Sequence, residues 1–171
     1  MTVTISNSFT PNTKIKSAEV NTNFTDLKTA HDDLADSGAR AYRDAADDHT
    51  NSGGAEKVDL DAESWDSNGE FDSFKFTAVK AGKYLVMAQV NFSGNSTGRR
   101  GAELRVNGAK ITEGAQTNAV GANPTVATVG DILNLGATDF VELFANQDSG
   151  GNLAYTVGSD STFMSIQRVG D

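Results

Sequence analysis

The 171-residue sequence has no cysteine, which excludes disulfide frameworks, thiolate zinc sites and cysteine nucleophiles. Stability has to come from apolar burial or from assembly. Basic residues are scarce as well: 14 against 23 acidic ones leave a net charge of −9, a field that repels a phosphate backbone, so nucleic acid is not an expected partner. Long hydrophobic runs are also missing, and no stretch approaches the roughly 18 apolar residues of a membrane span. The first residues, MTVTISNSFT, lack the basic region and apolar run of a signal peptide, so neither export by that route nor membrane insertion is expected. What is present, 37% apolar residues with 17 glycines and nine phenylalanines, is the composition of a folded domain, and the length suits one domain plus an appendage.

The appendage comes first. Residues 2–6 alternate polar and apolar side chains and could add a strand to a partner's sheet before Pro11 interrupts any ladder. Ser17 offers a helix N-cap, and Glu19 suits the first-turn dipole. Val20, Phe24, Leu27, His31 and Leu34 then follow at spacings of 4, 3, 4 and 3, the seam of a coiled coil, and Gly38 is expected to close the helix. Fewer than three heptads cannot hold an oligomer alone, so another surface must drive association. In an assembled seam His31 reads as a packed, partly hydrated side chain rather than a metal ligand.

From residue 39 the period changes from helical to two. Short alternating runs are punctuated by turn signals at Asn68-Gly69, Asn107-Gly108 and Ser149-Gly150-Gly151, which predicts a mainly β sandwich of roughly eight strands. In residues 83–92, Tyr84, Val86, Ala88, Val90 and Phe92 share one face, the expected core, while Leu85 and Met87 occupy the other. In residues 139–147, Val141, Leu143 and Ala145 oppose Phe140 and Phe144. Strands apolar on both faces need a second burial partner, so Leu85, Met87, Phe140 and Phe144 are expected at a subunit interface. Asn107-Gly108 supplies the two positive φ angles of a type I′ hairpin.

Several of these segments together carry a family resemblance. ARAY at 39–42, VDLDAESWDSNGEF at 58–71, FTAVKAGKYLVMAQVNF at 76–92, RRGAELRVNGAKI at 99–111, LNLGATDFVELFANQDSGG at 133–151 and TFMSIQRVG at 162–170 resemble, in order and spacing, the C1q-like heads of phage virion proteins. The resemblance implies a C1q/TNF-like jelly roll, related to tumour necrosis factor, that assembles as a homotrimer. The opening segment is similar to a phrase near the starts of phage fibre proteins, matched by Phe9, Pro11, Lys14, Ile15, Ser17, Val20, Asn21, Asn23 and Phe24. That similarity implies a virion-anchoring role for residues 1–38, with the head at 39–171 pointing outward. Thr138 departs from the pattern, standing where a glycine before the aspartate is common.

The implied work is that of a trimeric short fibre or spike in a virion assembled in the host cytoplasm, with other capsid or tail proteins as neighbours and a host-surface glycan or protein as target. A capsid decoration protein of the same fold is the alternative. Candidate contact residues fall in the small, polar loops near 93–100, 115–125 and 146–152: Asn95, Ser96, Arg99, Arg100, Asn118, Asn123 and Asp148. Arg99 and Arg100 are read as solvated loop charges.

Catalytic readings fare poorly. Gly94 to Gly98 matches G-x-S-x-G, but that elbow needs a strand, a sharp turn and a helix, and both histidines precede Ser96 in the chain. No paired acids point to a glycan depolymerase. The acidic turns at Asp59, Asp61 and Glu63, and at Asp66, Asn68, Glu70 and Asp72, lack the glycine and terminal glutamate of an EF-hand, which leaves only a looser calcium site. No cofactor is expected.

Overall fold

The computed structural model describes residues 4–35, 37–46 and 53–170, with the side chains of 32–35 outside that set. Residues 1–3, the Leu34 side chain and His49 therefore lie outside the described residues. Among the described residues one helix, α1 (Ser17–Ala35), precedes twelve strands: β1 (Gly38–Tyr42), β2 (Ala55–Lys57), β3 (Ala62–Asp66), β4 (Phe71–Asp72), β5 (Lys75–Thr77), β6 (Gly82–Phe92), β7 (Arg99–Val106), β8 (Ala109–Glu113), β9 (Thr117–Asn118), β10 (Thr125–Leu135), β11 (Phe140–Gln147) and β12 (Phe163–Gly170). The excess over the expected number consists of the two- and three-residue strands β2, β4, β5 and β9.

Two antiparallel sheets face each other. The first has the order β10-β6-β12-β1-β3; the second runs β4-β5-β11-β7-β8, with β2 on β11 and β9 on β7. Alternation on β6 sends Tyr84, Val86, Ala88, Val90 and Phe92 into the space between them, all buried. Leu104 of β7, Val141 and Leu143 of β11, and Met164 and Ile166 of β12 meet them there. Each large apolar side chain removed from water in this way contributes about 1.5–3 kcal/mol. The β7–β8 turn has Asn107 at φ 52° and Gly108 at φ 80°, with Val106 paired to Ala109, as a type I′ hairpin requires.

The strands define two ends. The base holds Gly38, Gly82, Leu135, Phe140 and Gly170, and α1 enters there; the apex holds Tyr42, Phe92, Arg99, Thr125, Gln147 and Phe163. Two expectations are corrected at these ends. Gly38 does not close the helix, which stops at Ala35; it opens β1, where a Cβ would strike the Ile166 carbonyl, so glycine is needed for close strand approach. Arg100 is not a solvated loop charge either. It is 0% exposed on β7, its guanidinium donating to the Thr97, Arg99 and Asn95 carbonyls and lying 5.9 Å from the Phe92 ring centre. Alternation along β7 places Arg100 on the inward face with Ala102 and Leu104, and the carbonyls of the preceding loop solvate its charge.

Candidate functional site

The apex gathers the loop segments proposed for contact. Arg99 pairs with Asn118 and Arg100 with both Thr117 and Gln147, so segments near 93–100, 115–125 and 146–152 become neighbours through β7. Backbone bonds from Ala119 to the Gly98 carbonyl and from Asp148 to the Arg99 carbonyl tie them further. Within this cluster Ser96, Arg99, Asn118, Asn123 and Asp148 are exposed, Asn95 is half-buried and Arg100 is interior. The Asp148 carboxylate accepts the Arg99 amide and lies 3.6 Å from the Arg99 Nε, contacts that hold its carboxyl below the usual range. The Asn95 side chain accepts the Thr97 amide at 2.8 Å, an Asx turn that shapes the β6–β7 connection.

A second surface is the solvent face of the first sheet. Leu85 pairs with Ile132 and Met87 with Gly130, leaving Leu85 40%, Met87 59% and Ile132 59% exposed in one stripe. Beside it a hollow of about 520 Å³ runs between Met87, Gln89, Thr128, Gly130, Phe163 and Ser165. Arg40 borders it, with its guanidinium 4.3 Å over the Phe163 ring. Three half-exposed aliphatic side chains would each gain about 1 kcal/mol on full coverage. Ile132 belongs to this stripe, and only the pairing of β10 with β6 reveals it.

The four apolar residues expected at one interface do not share a face. Phe140 and Phe144 lie on the outward side of the second sheet, across the sandwich from Leu85 and Met87. They are half-buried under cations of their own chain: Lys75 Nζ stands 4.7 Å over Phe140 and the Arg105 guanidinium 3.7 Å over Phe144. The aliphatic stems of those cations cover the rings, which removes much of their need for an outside partner.

The N-terminal segment folds back along α1. The Ser6 amide donates to Asp26 and the Asn7 amide to the Asn23 side chain, while Asn23 Nδ2 returns a bond to the Asn7 carbonyl. Asn23 is thus a clasp within the chain, whereas Asn21 is exposed. Phe9, Pro11 and Ile15 are exposed on this hook, and on α1 Phe24 and Leu27 are 66% and 48% exposed, with His31 exposed and Val20 half-buried.

Where α1 meets the head, a buried polar knot replaces apolar packing. Glu70, 2% exposed, accepts from the Ser37 hydroxyl at 2.6 Å, the Gly38 amide at 2.8 Å and the Val79 amide at 3.1 Å. The Tyr84 hydroxyl lies 2.7 Å from both the Ser37 hydroxyl and the Lys80 carbonyl and has one proton to donate to either. Burial raises the Tyr84 pKa above its ordinary value. Sequence inspection placed Glu70 among loose calcium ligands; its three donors make it a structural anchor.

The other acids have similar employment. Asp66 accepts the amides of Asn68, Glu70 and Phe71, and Asp61 accepts those of Asp44 and Ala45 beside the Arg43 guanidinium. Among the described residues no group of three or more His, Cys, Asp or Glu residues is placed to hold a metal. Ser96 sits in the connection from β6 to β7, a strand-to-strand setting, with His31 on α1 beyond the base. No helix among the described residues is long and apolar enough to cross a membrane.

No protein-family model matches the chain, and no curated protein matches it. Solved structures do. The globular domain of zebrafish complement 1qA protein is 15% identical, with 76% of this chain and 94% of that one covered at a TM-score of 0.57. Murine APRIL is 12% identical over 77% and 98%, at 0.59, and Eiger TNF from S. frugiperda 14% over 79% and 94%, at 0.53. The fold is the C1q/TNF jelly roll, as the sequence resemblance implied.

Proposed function

We propose that the chain is a non-enzymatic structural protein of a phage virion, a homotrimeric short fibre or spike anchored by its N-terminus and presenting the jelly-roll head to a host surface. The observation that carries this is the exposed Leu85, Met87 and Ile132 stripe on a sheet face that the described residues leave uncovered. Closure of three copies on that face gives the aliphatic side chains a dry partner and brings the three α1 seams together. The polarity of the fold supports the same reading, because α1 enters at the base while the three polar loops cluster at the apex. Three identical apices convert weak contacts with a cell-surface glycan or protein into avidity.

The hook formed by residues 4–16 on α1, with Phe9 and Ile15 outward, is the proposed contact with a neighbouring capsid or tail subunit. Light scattering tests the assembly: a solution mass of about 54 kDa, three times 18.0 kDa, is expected, and a stable 18.0 kDa species at micromolar concentration overturns it.

A further inference from the structure

The outward face of the second sheet carries a hollow of about 460 Å³, within the range of about 300–1,000 Å³ typical of small-ligand sites. Its lining is mostly polar, with Ala55 the sole aliphatic side chain among the described residues, and glycines at 53 and 54 leave backbone bare. Gly101 lies beneath the Asn146 side chain, which would have to shift to admit a Cβ there. Adjacent positions on β7, β8 and β11 supply the rest: Glu113 pairs with Glu103 across the β7–β8 ladder, and Asn146 pairs with Gly101 across β7–β11.

The charges in this hollow are already matched. Arg105 holds Glu103 at 2.6 Å, Lys110 holds Glu113 at 2.9 Å, and Arg99 holds Asp148 at 3.6 Å. Lys110 and Glu113 shift each other's pKa in opposite directions, upward for the amine and downward for the carboxyl, as a formed pair does. Among the described residues three cations against three anions leave no net charge in the lining, so an ionic ligand would have to break a pair to gain one. An apolar peptide side chain finds almost nothing to bury against. What the hollow does offer is uncommitted hydrogen bonding. The Asn146 side-chain amide makes no hydrogen bond within the described residues, and Gln116 spends one side-chain amide hydrogen on Glu113 and keeps its carbonyl. Carboxylate oxygens beside ammonium and guanidinium groups suit a hydroxyl, which donates and accepts at once.

We infer that this hollow binds an uncharged sugar through its hydroxyl groups, with Asn146 and Gln116 as the adaptable contacts and the three ion pairs as a fixed frame. The inference rests on the proposed recognition role and names the ligand class for it. One copy binds weakly, in the millimolar range expected of a few solvent-facing hydrogen bonds, and three copies on one particle multiply the effect.

The test is an NMR titration of the isotope-labelled full chain with glucose, galactose, mannose, N-acetylglucosamine and lactose to about 50 mM, with glucuronate and N-acetylneuraminate as charged controls. At least one neutral sugar should move the side-chain amide signals of Asn146 and Gln116 and the backbone signal of Gly101. Asn146→Ala should weaken that binding about fivefold or more, and Gln116→Ala, which alters only an exposed side chain, provides the second variant should the first disturb folding. No movement with any neutral sugar, tighter binding of the charged sugars, or unchanged binding in the variants each overturns the inference. Light scattering on the same sample keeps the two proposals apart: a trimer without sugar shifts loses only the hollow, and a monomer with them loses only the trimer.

Discussion

At Thr138 the backbone has φ 77°, a left-handed conformation that a β-branched side chain disfavours by about 1–2 kcal/mol. The turn holds because the Thr138 amide donates to the Ala78 carbonyl at 2.7 Å and the Ala78 amide donates to that of Asp139. The side chain is exposed, so Thr138→Gly loses no packing, and part of its gain is offset by the greater freedom of unfolded glycine. A net stabilisation of about 0.5–1 kcal/mol is expected, read from the urea midpoint at fixed protein concentration. Asp61 makes a second residue-scale case. Burial opposes its charge, but the amides of Asp44 and Ala45 and the Arg43 guanidinium outweigh burial and hold its pKa below 3.8. A depressed folded value means that this stabilisation is complete above the ordinary pKa and is lost as pH falls through the folded one. Asp61→Asn should therefore lower stability at neutral pH and flatten its decline below about pH 4, which thermal melts across that range will show.

Among elements, the junction of α1 and β1 governs how far the appendage can be removed. Ser37 is already part of the head: its hydroxyl bonds Glu70, and its carbonyl accepts the Arg168 amide and the Gln167 side chain. Gly38 supplies another donor to Glu70. Deleting residues 1–36 leaves this knot intact, and the head should keep its thermal midpoint within a few degrees. Deleting 1–38 removes two of the donors to a buried carboxylate, a loss of about 2–4 kcal/mol, with a correspondingly lower midpoint. Equal stability of the two truncations would show that the knot contributes little.

On the scale of the molecule, the two outward faces differ in character. The first sheet exposes aliphatic side chains, whereas the second covers Phe140 and Phe144 with Lys75 and Arg105 and carries the matched-charge hollow. Met87→Asp places a carboxylate in the proposed threefold interface and should reduce the scattering mass toward 18.0 kDa, while Phe144→Ala should leave it unchanged. The reverse pattern would move the interface to the second sheet.

Period-two alternation is a local property, and it was enough to show from sequence that Tyr84, Val86, Ala88, Val90 and Phe92 form a core face and that Asn107-Gly108 turns a hairpin. It could not show that Leu85 and Phe144 point away from each other, because alternation does not say which sheet a strand joins. The burial of Arg100 is hidden from sequence for a related reason: its charge is solvated by carbonyls of a loop whose path is set by pairing with Thr117 and Gln147. The hollow likewise unites Glu103, Gln116 and Asn146 only through strand register. Residue order determined the longer strands, the main turns and the place of the helix ahead of them. Contacts as distant as Gly38 with Gln167 decided which faces are dry, which charges are buried and which loops meet, since backbone pairing between remote segments leaves no period in the sequence.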